Sequence, residues 1–150
     1  MGTRGCIFCG IVRGEVEASV VWEGEDALAF LDHRPLFPGH VLLVPKEHRE
    51  TLLDLPAAQV GPFFTRAQRI AAAVEGLPGA QGSFVAINNR VSQSVPHLHV
   101  HVVPRRKGDG LRGFFWPRHP YRDAAEREAV AEALRRALAR TPGGATPRMG

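Results

Sequence analysis

The chain has little of what would place it in a membrane or an oxidising compartment. Its 150 residues include two cysteines and one tyrosine, and just two of its 19 basic side chains, Lys46 and Lys107, are lysines. No apolar run approaches the ~20 residues that cross a bilayer, and no basic-then-apolar leader is encoded. A cytoplasmic protein without a membrane partner is the expectation. Two cysteines build no disulfide framework, and Cys6-x-x-Cys9 closes too short a loop for an ordinary structural disulfide. No internal repeat is visible.

What remains is ordinary globular material. With 44% hydrophobic and 23% charged residues, the chain can bury one core. The expectation is a single domain over residues 1–140, followed by a flexible Gly/Pro/Thr tail over 141–150. A net charge of +4 suits an anionic substrate, or simply a solubilising surface. Val20 to Trp22 and Ala27 to Phe30 read as a hairpin around Glu23-Gly24-Glu25-Asp26, and His40 to Pro45 as a strand launched from Pro38-Gly39. Between Pro56 and Glu75 apolar residues recur at helical spacing. Ser83 to Asn88 reads as a further strand, and Tyr121 to Arg140 as a basic amphipathic helix with Ala124, Val130, Leu134 and Leu138 on its apolar stripe. That order predicts an α+β domain with an antiparallel sheet. Its edge strands and the Phe114-Phe115-Trp116 segment are consistent with a dimer.

The most informative stretch is Pro96-His97-Leu98-His99-Val100-His101-Val102-Val103-Pro104-Arg105. Read as a β-strand, it puts His97, His99 and His101 on one face and Leu98, Val100 and Val102 on the other. Three imidazoles cannot easily share one ion, because His97 and His101 would lie about 13 Å apart at ~3.3 Å per residue. The row therefore divides its labour, and beside metal ligation the other use open to it is phosphoryl chemistry, in which one His attacks and its neighbours hold or protonate oxygens. Cys6-x-x-Cys9 reads as a zinc half-site, with a redox pair as the rival.

The His-φ-His-φ-His-φ-φ run from His97 to Val103 resembles the signature of the histidine triad superfamily of nucleotide hydrolases and transferases. Cys6-Ile7-Phe8-Cys9-Gly10-Ile11-Val12, Phe30-Leu31-Asp32, Pro38-Gly39-His40 through Lys46-Glu47-His48, and Gln93-Ser94 agree with it in order. The resemblance implies a five-stranded antiparallel sheet with two helices, often joined edge to edge in a two-fold dimer. It implies a structural zinc held by Cys6, Cys9, His48 and His97. It makes His99 the nucleophile toward the α-phosphorus of a nucleotide and His101 the holder of the α-phosphate, with His40 orienting the row. Gln93 and Ser94 would meet the scissile oxygen and leaving group, and Asn88 or Asn89 a phosphate or ribose. Asp32 would accept the ribose hydroxyls, while Phe8, Ile11, Phe30 and Leu31 wall the purine.

His101 stands where the transferase branch has Gln, which favours water as acceptor. The Val-Val-Pro-Arg-Arg-Lys-Gly-Asp run is similar to the fragile-histidine-triad branch that cleaves dinucleoside polyphosphates. The expected activity is release of AMP from a dinucleoside polyphosphate or an adenylylated small molecule, through a nucleotidyl-histidine. A phosphorylase or transferase, a zinc hydrolase using His97 and His99, and a non-catalytic nucleotide-binding module are the alternatives. Nucleic acid is not an expected partner.

Overall fold

A computed structural model describes residues 3–112 and 118–140. The tail over 141–150 and the Phe114-Phe115-Trp116 segment lie outside the described residues. The chain divides into two compact units, Met1–Gly110 and Leu111–Gly150. The second holds the C-terminal helix, which runs Ala124–Ala139 rather than from Tyr121, because Asp123 caps it by accepting from the Glu126 amide.

The first unit is built on a five-stranded sheet: β1 (Val20–Glu23), β2 (Ala27–Leu31), β3 (Val41–Pro45), β4 (Gly82–Ala86) and β5 (Val100–Arg105), in the order β1-β2-β3-β5-β4. Every adjacent pair is antiparallel. Helix α1 spans Ile7–Val12, α2 spans Ala57–Glu75, and the C-terminal helix is α3. The long α2 and the five strands match the sequence expectation; α1 was not anticipated.

Strands β2 and β3 are nearly continuous in apolar residues because both faces of the sheet are covered. One set, Ala27, Ala29, Val41 and Leu43, packs with Leu98, Val100 and Val102 against Phe63, Ala67, Ile70 and Val74 of α2. The alternate set, Leu28, Phe30, Leu42 and Val44, packs against Phe8 of α1. The register pairs Phe30 with Leu42 and Leu42 with His101, so the third histidine faces the α1 side beside that second cluster.

The triad strand starts later than expected. Pairing begins at Val100; His97 lies in a bend, its amide donating to the Val95 carbonyl at 2.8 Å, and Leu98 and His99 lead from it into β5. Pro96 has no N–H to give a ladder, and the Leu98 amide donates to the Arg49 carbonyl at 2.6 Å rather than to a strand. Likewise β4 ends at Ala86, leaving Asn88 in the following loop.

Leu98 is wholly buried between the two histidines that precede β5. Leu98→Ala is expected to cost about 2–5 kcal/mol in urea denaturation, the usual range for a buried Leu. Val91→Ala, at a side chain 82% exposed, is expected to change stability by no more than about 0.5 kcal/mol.

Candidate functional site

Five histidines, two cysteines and Asp32 gather on the α1 side of the sheet, and all but His99 fall into two groups. Cys6, Cys9, His48 and His97 present ligand atoms that all lie within 4.8 Å of one another, as do Asp32, His40 and His101. The first group comes from the start of α1, the loop after β3 and the segment before β5. The sequence placed them 91 residues apart at the extreme, and the fold brings them together.

The spacing of the first group has a direct reading. Cys6 Sγ and Cys9 Sγ each lie 3.5 Å from His97 Nδ1, and Cys9 Sγ lies 3.3 Å from His48 Nδ1. A tetrahedral ion with bonds of about 2.3 Å to sulfur and 2.0–2.1 Å to nitrogen separates such ligands by about 3.5 Å. His97 Nε2 donates to the Pro45 carbonyl at 2.8 Å, which leaves the Nδ1 lone pair aimed at the sulfurs. Burial, with Cys6 alongside, pushes the Cys9 thiol up to about 11, so a cation is what would make a thiolate there. These residues could hold a zinc ion.

Hydrogen bonds also fix the protons of His99, His40 and His101. His99 Nδ1 donates to the carbonyl of His97 at 2.7 Å, so its Nε2 carries the lone pair. His40 Nδ1 accepts the Leu36 amide at 3.1 Å, and its Nε2–H therefore donates to His101 Nδ1 at 3.0 Å. His101 is left with Nε2–H as its free donor. Asp32 Oδ2 lies 3.7 Å from His40 Nδ1, a distance that would count as an ion pair were His40 charged. It is not charged at neutral pH, because the amide already occupies Nδ1 and burial pushes its pKa down. With Nδ1 occupied and Nε2 carrying the proton, His40 has no lone pair left for a metal ion.

Burial lowers the affinity of the whole row for protons. It pushes His97 and His101 down to about 4 and lowers His99, against the raising effect of the His97 carbonyl. Neutral imidazoles with assigned lone pairs are the resting state.

The other expected residues divide. Phe8 and Phe30 meet edge to face at 5.4 Å, with Ile11 packed beside them. Leu31 is a correction: it lines an 840 Å³ groove with Val41, Ile70 and Leu77, on the α2 face and away from His99. Adjacent strand residues point to opposite faces, so Phe30 and Leu31 cannot wall one base together.

Gln93 ties its own loop to the segment after β3. Its Oε1 accepts the Arg90 amide at 2.7 Å and its Nε2 donates to the Glu50 carbonyl at 2.5 Å. These bonds hold Arg90 (φ 70) and Ser92 (φ 59) in the left-handed region, a conformation of order 1–3 kcal/mol above the ordinary one. Asn89 Oδ1 accepts the Leu52 amide, whereas Asn88 and Ser94 are exposed. The Arg105 guanidinium pairs with Asp109 within its own turn, at 2.6 and 3.0 Å.

Residues 13–108 match the HIT domain family. The chain belongs to that family. An uncharacterized HIT-like protein of Mycobacterium tuberculosis is 39% identical over 139 residues, spanning 89% of this chain and 93% of that one. An adenylylsulfatase of Arabidopsis thaliana is 31% identical over 144 residues, 91% of this chain and 71% of its own. The solved structure of a zinc-bound histidine triad protein from Mycobacterium smegmatis is 40% identical, covers 91% of this chain and 99% of its own, and superposes with a TM-score of 0.68. The HIT family thus includes hydrolases, and a zinc-bound member resembles this fold.

One zinc per chain is expected in protein purified without added metal. Cys9→Ser should lose the metal together with thermal stability, whereas His101→Ala should keep it; elemental analysis beside a melting curve reads both.

Proposed function

We propose that this HIT protein is a nucleotidyl hydrolase that releases AMP from an adenylylated small molecule or a dinucleoside polyphosphate through a nucleotidyl-histidine on His99. The observation that carries the reading is the His99 Nδ1–H bond to the His97 carbonyl, which leaves the Nε2 lone pair free in a neutral ring. The resemblance of the chain to an adenylylsulfatase supports an adenylyl group as the moiety transferred.

In this mechanism His99 Nε2 attacks the α-phosphorus while the bond to the leaving group breaks, and that group departs with the electron pair. The ring becomes positively charged as the new bond forms, and the His97 carbonyl at Nδ1 stabilises that charge. His101 Nε2–H, backed by His40 Nε2–H, faces phosphate oxygens and can give the leaving group its proton. Water then attacks the phosphorus, His99 is released, and AMP leaves. Ser94, exposed in the loop that precedes the triad, is the proposed contact to the leaving group.

Asp32 is the proposed acceptor for the ribose hydroxyls. Its Oδ1 takes the Arg34 amide at 2.9 Å, and the remaining oxygen stands at the His40 end of the row. Asn88 is preferred over Asn89 as the nucleotide contact, because the Asn89 side-chain oxygen already serves Leu52. Phe30 and Ile11 are the candidate apolar walls. Zinc at Cys6, Cys9, His48 and His97 would be structural, fixing α1 to the sheet. A two-fold dimer through an exposed sheet edge, β1 or β4, belongs to the same reading, as does a cytoplasmic location.

His99→Ala is expected to abolish AMP release and to leave AMP binding within about tenfold, since the base and ribose contacts remain. Near wild-type turnover by that variant would exclude His99 as the nucleophile. For Asp32→Ala the expected loss in AMP affinity is about 1.5–3 kcal/mol by calorimetry, the value of hydrogen bonds to a charged group. The loss should shrink for a 2′,3′-dideoxy analogue; equal losses for both ligands would remove Asp32 from the ribose site.

A further inference from the structure

Helix α1 is six residues long, too short to stand alone in water, and it carries no acidic residue in its first turn. Two things hold it. Cys6 and Cys9 tie its first turn to the metal-ligand group, and Cys6 Sγ also accepts the Cys9 amide. Between them in the chain, Phe8 enters the cluster of Leu28, Phe30, Leu42 and Val44.

Phe8 also touches the catalytic row. Its ring meets His99 edge to face, with centroids 5.1 Å apart and planes at 82°, and meets His97 at 5.9 Å and 72°. His101 packs on the same His99 ring at 4.8 Å. Three contacts thus define the His99 ring: the His97 carbonyl at Nδ1, the His101 ring, and the Phe8 ring. Two of the three begin at the metal-ligand group. His97 offers its imidazole to the cysteines and its carbonyl to His99, and Phe8 rides on the helix that the cysteines anchor.

We infer that Phe8 is a positioning residue for the His99 ring, so that occupancy of the Cys6, Cys9, His48 and His97 group sets the orientation of the nucleophile as well as the anchoring of α1. The inference rests on the reading of His99 as nucleophile, and it reassigns Phe8 from the purine wall. At 6% exposure Phe8 has little surface to offer a base, and its ring is engaged with two histidines. A ring that loses one of three contacts can turn on its Cβ–Cγ bond, which swings Nε2 off the line of attack while the nucleotide contacts stay in place.

The test uses the protein as purified with its metal, with Phe8→Leu and the less disruptive Phe8→Met, and Ile7→Ala as a control on the same helix at an exposed position. Metal content, kcat and KM for an adenosine 5′-phosphoramidate, and ring-proton NMR of His99 are measured. Both Phe8 variants should keep one zinc, hold KM within about threefold, and lose about 10- to 100-fold in kcat, the range that a misplaced reacting group costs. Ile7→Ala should match wild type. In wild type, chelating the metal should abolish the nuclear Overhauser contacts between the Phe8 and His99 rings and shift the His99 ring signals as Phe8→Leu does.

A zinc-loaded Phe8→Leu or Phe8→Met with normal kcat and unshifted His99 signals overturns the inference. So does a rise in KM alone, which would return Phe8 to the base pocket, and so do unmoved ring contacts after the metal is gone. If instead His99→Ala retains turnover, the nucleophile reading fails by itself, and the NMR arm still reports whether Phe8 and the metal site fix the ring.

Discussion

The hydrogen bond from His99 Nδ1 to the His97 carbonyl decides which nitrogen of the central imidazole can act. Its formation requires His97 to be held at both ends, and the fold does this with unusual economy of parts. The His97 ring is fixed by the Pro45 carbonyl on one nitrogen and faces two sulfurs with the other. Its neighbour Leu98 is locked into the core and gives its amide to Arg49. A backbone pinned in this way presents its carbonyl in one direction, and the chemistry proposed for His99 follows from that direction.

Backbone groups assign protons throughout the row. Pro45, His97 and Leu36 supply the carbonyls and the amide that settle the tautomers of His97, His99 and His40 in turn, and His40 then settles His101. Burial removes the alternative of protonated rings, since a charged imidazole would have to leave water. The result is a neutral row with one free lone pair at His99 and one free donor at His101. The attack on phosphorus and the donation to a leaving group proposed above would use the two in that order.

Much of this was encoded visibly. Alternating aliphatics around the histidines announced a core side and a chemical side, and Leu98, Val100 and Val102 do enter one cluster while the rings gather elsewhere. The Cys6-x-x-Cys9 spacing pointed to a half-site, and the fold supplied the other half. Some features had no local signal. Helix α1 is shorter than two turns of periodicity, and the late start of β5 depends on where the Leu98 amide finds its acceptor, which is a tertiary fact. The commitment of Gln93 to Arg90 and Glu50 likewise depends on a loop 43 residues earlier in the chain. The placement of Leu31 is different. Strand alternation alone separates it from Phe30, and that signal was present in Ala27 to Leu31 from the start.

The account stands on a covalent nucleotide at one nitrogen of one residue. Acid-free quenching of the protein during turnover of an adenylylated substrate, followed by peptide mass mapping and phosphorus NMR, looks for that bond directly. The account predicts one adenylyl group per site, attached as a phosphoramidate to His99 and absent from His99→Ala. An enzyme that turns over fully while every histidine stays unmodified, or one that carries the nucleotide on His97 or His101, would contradict it.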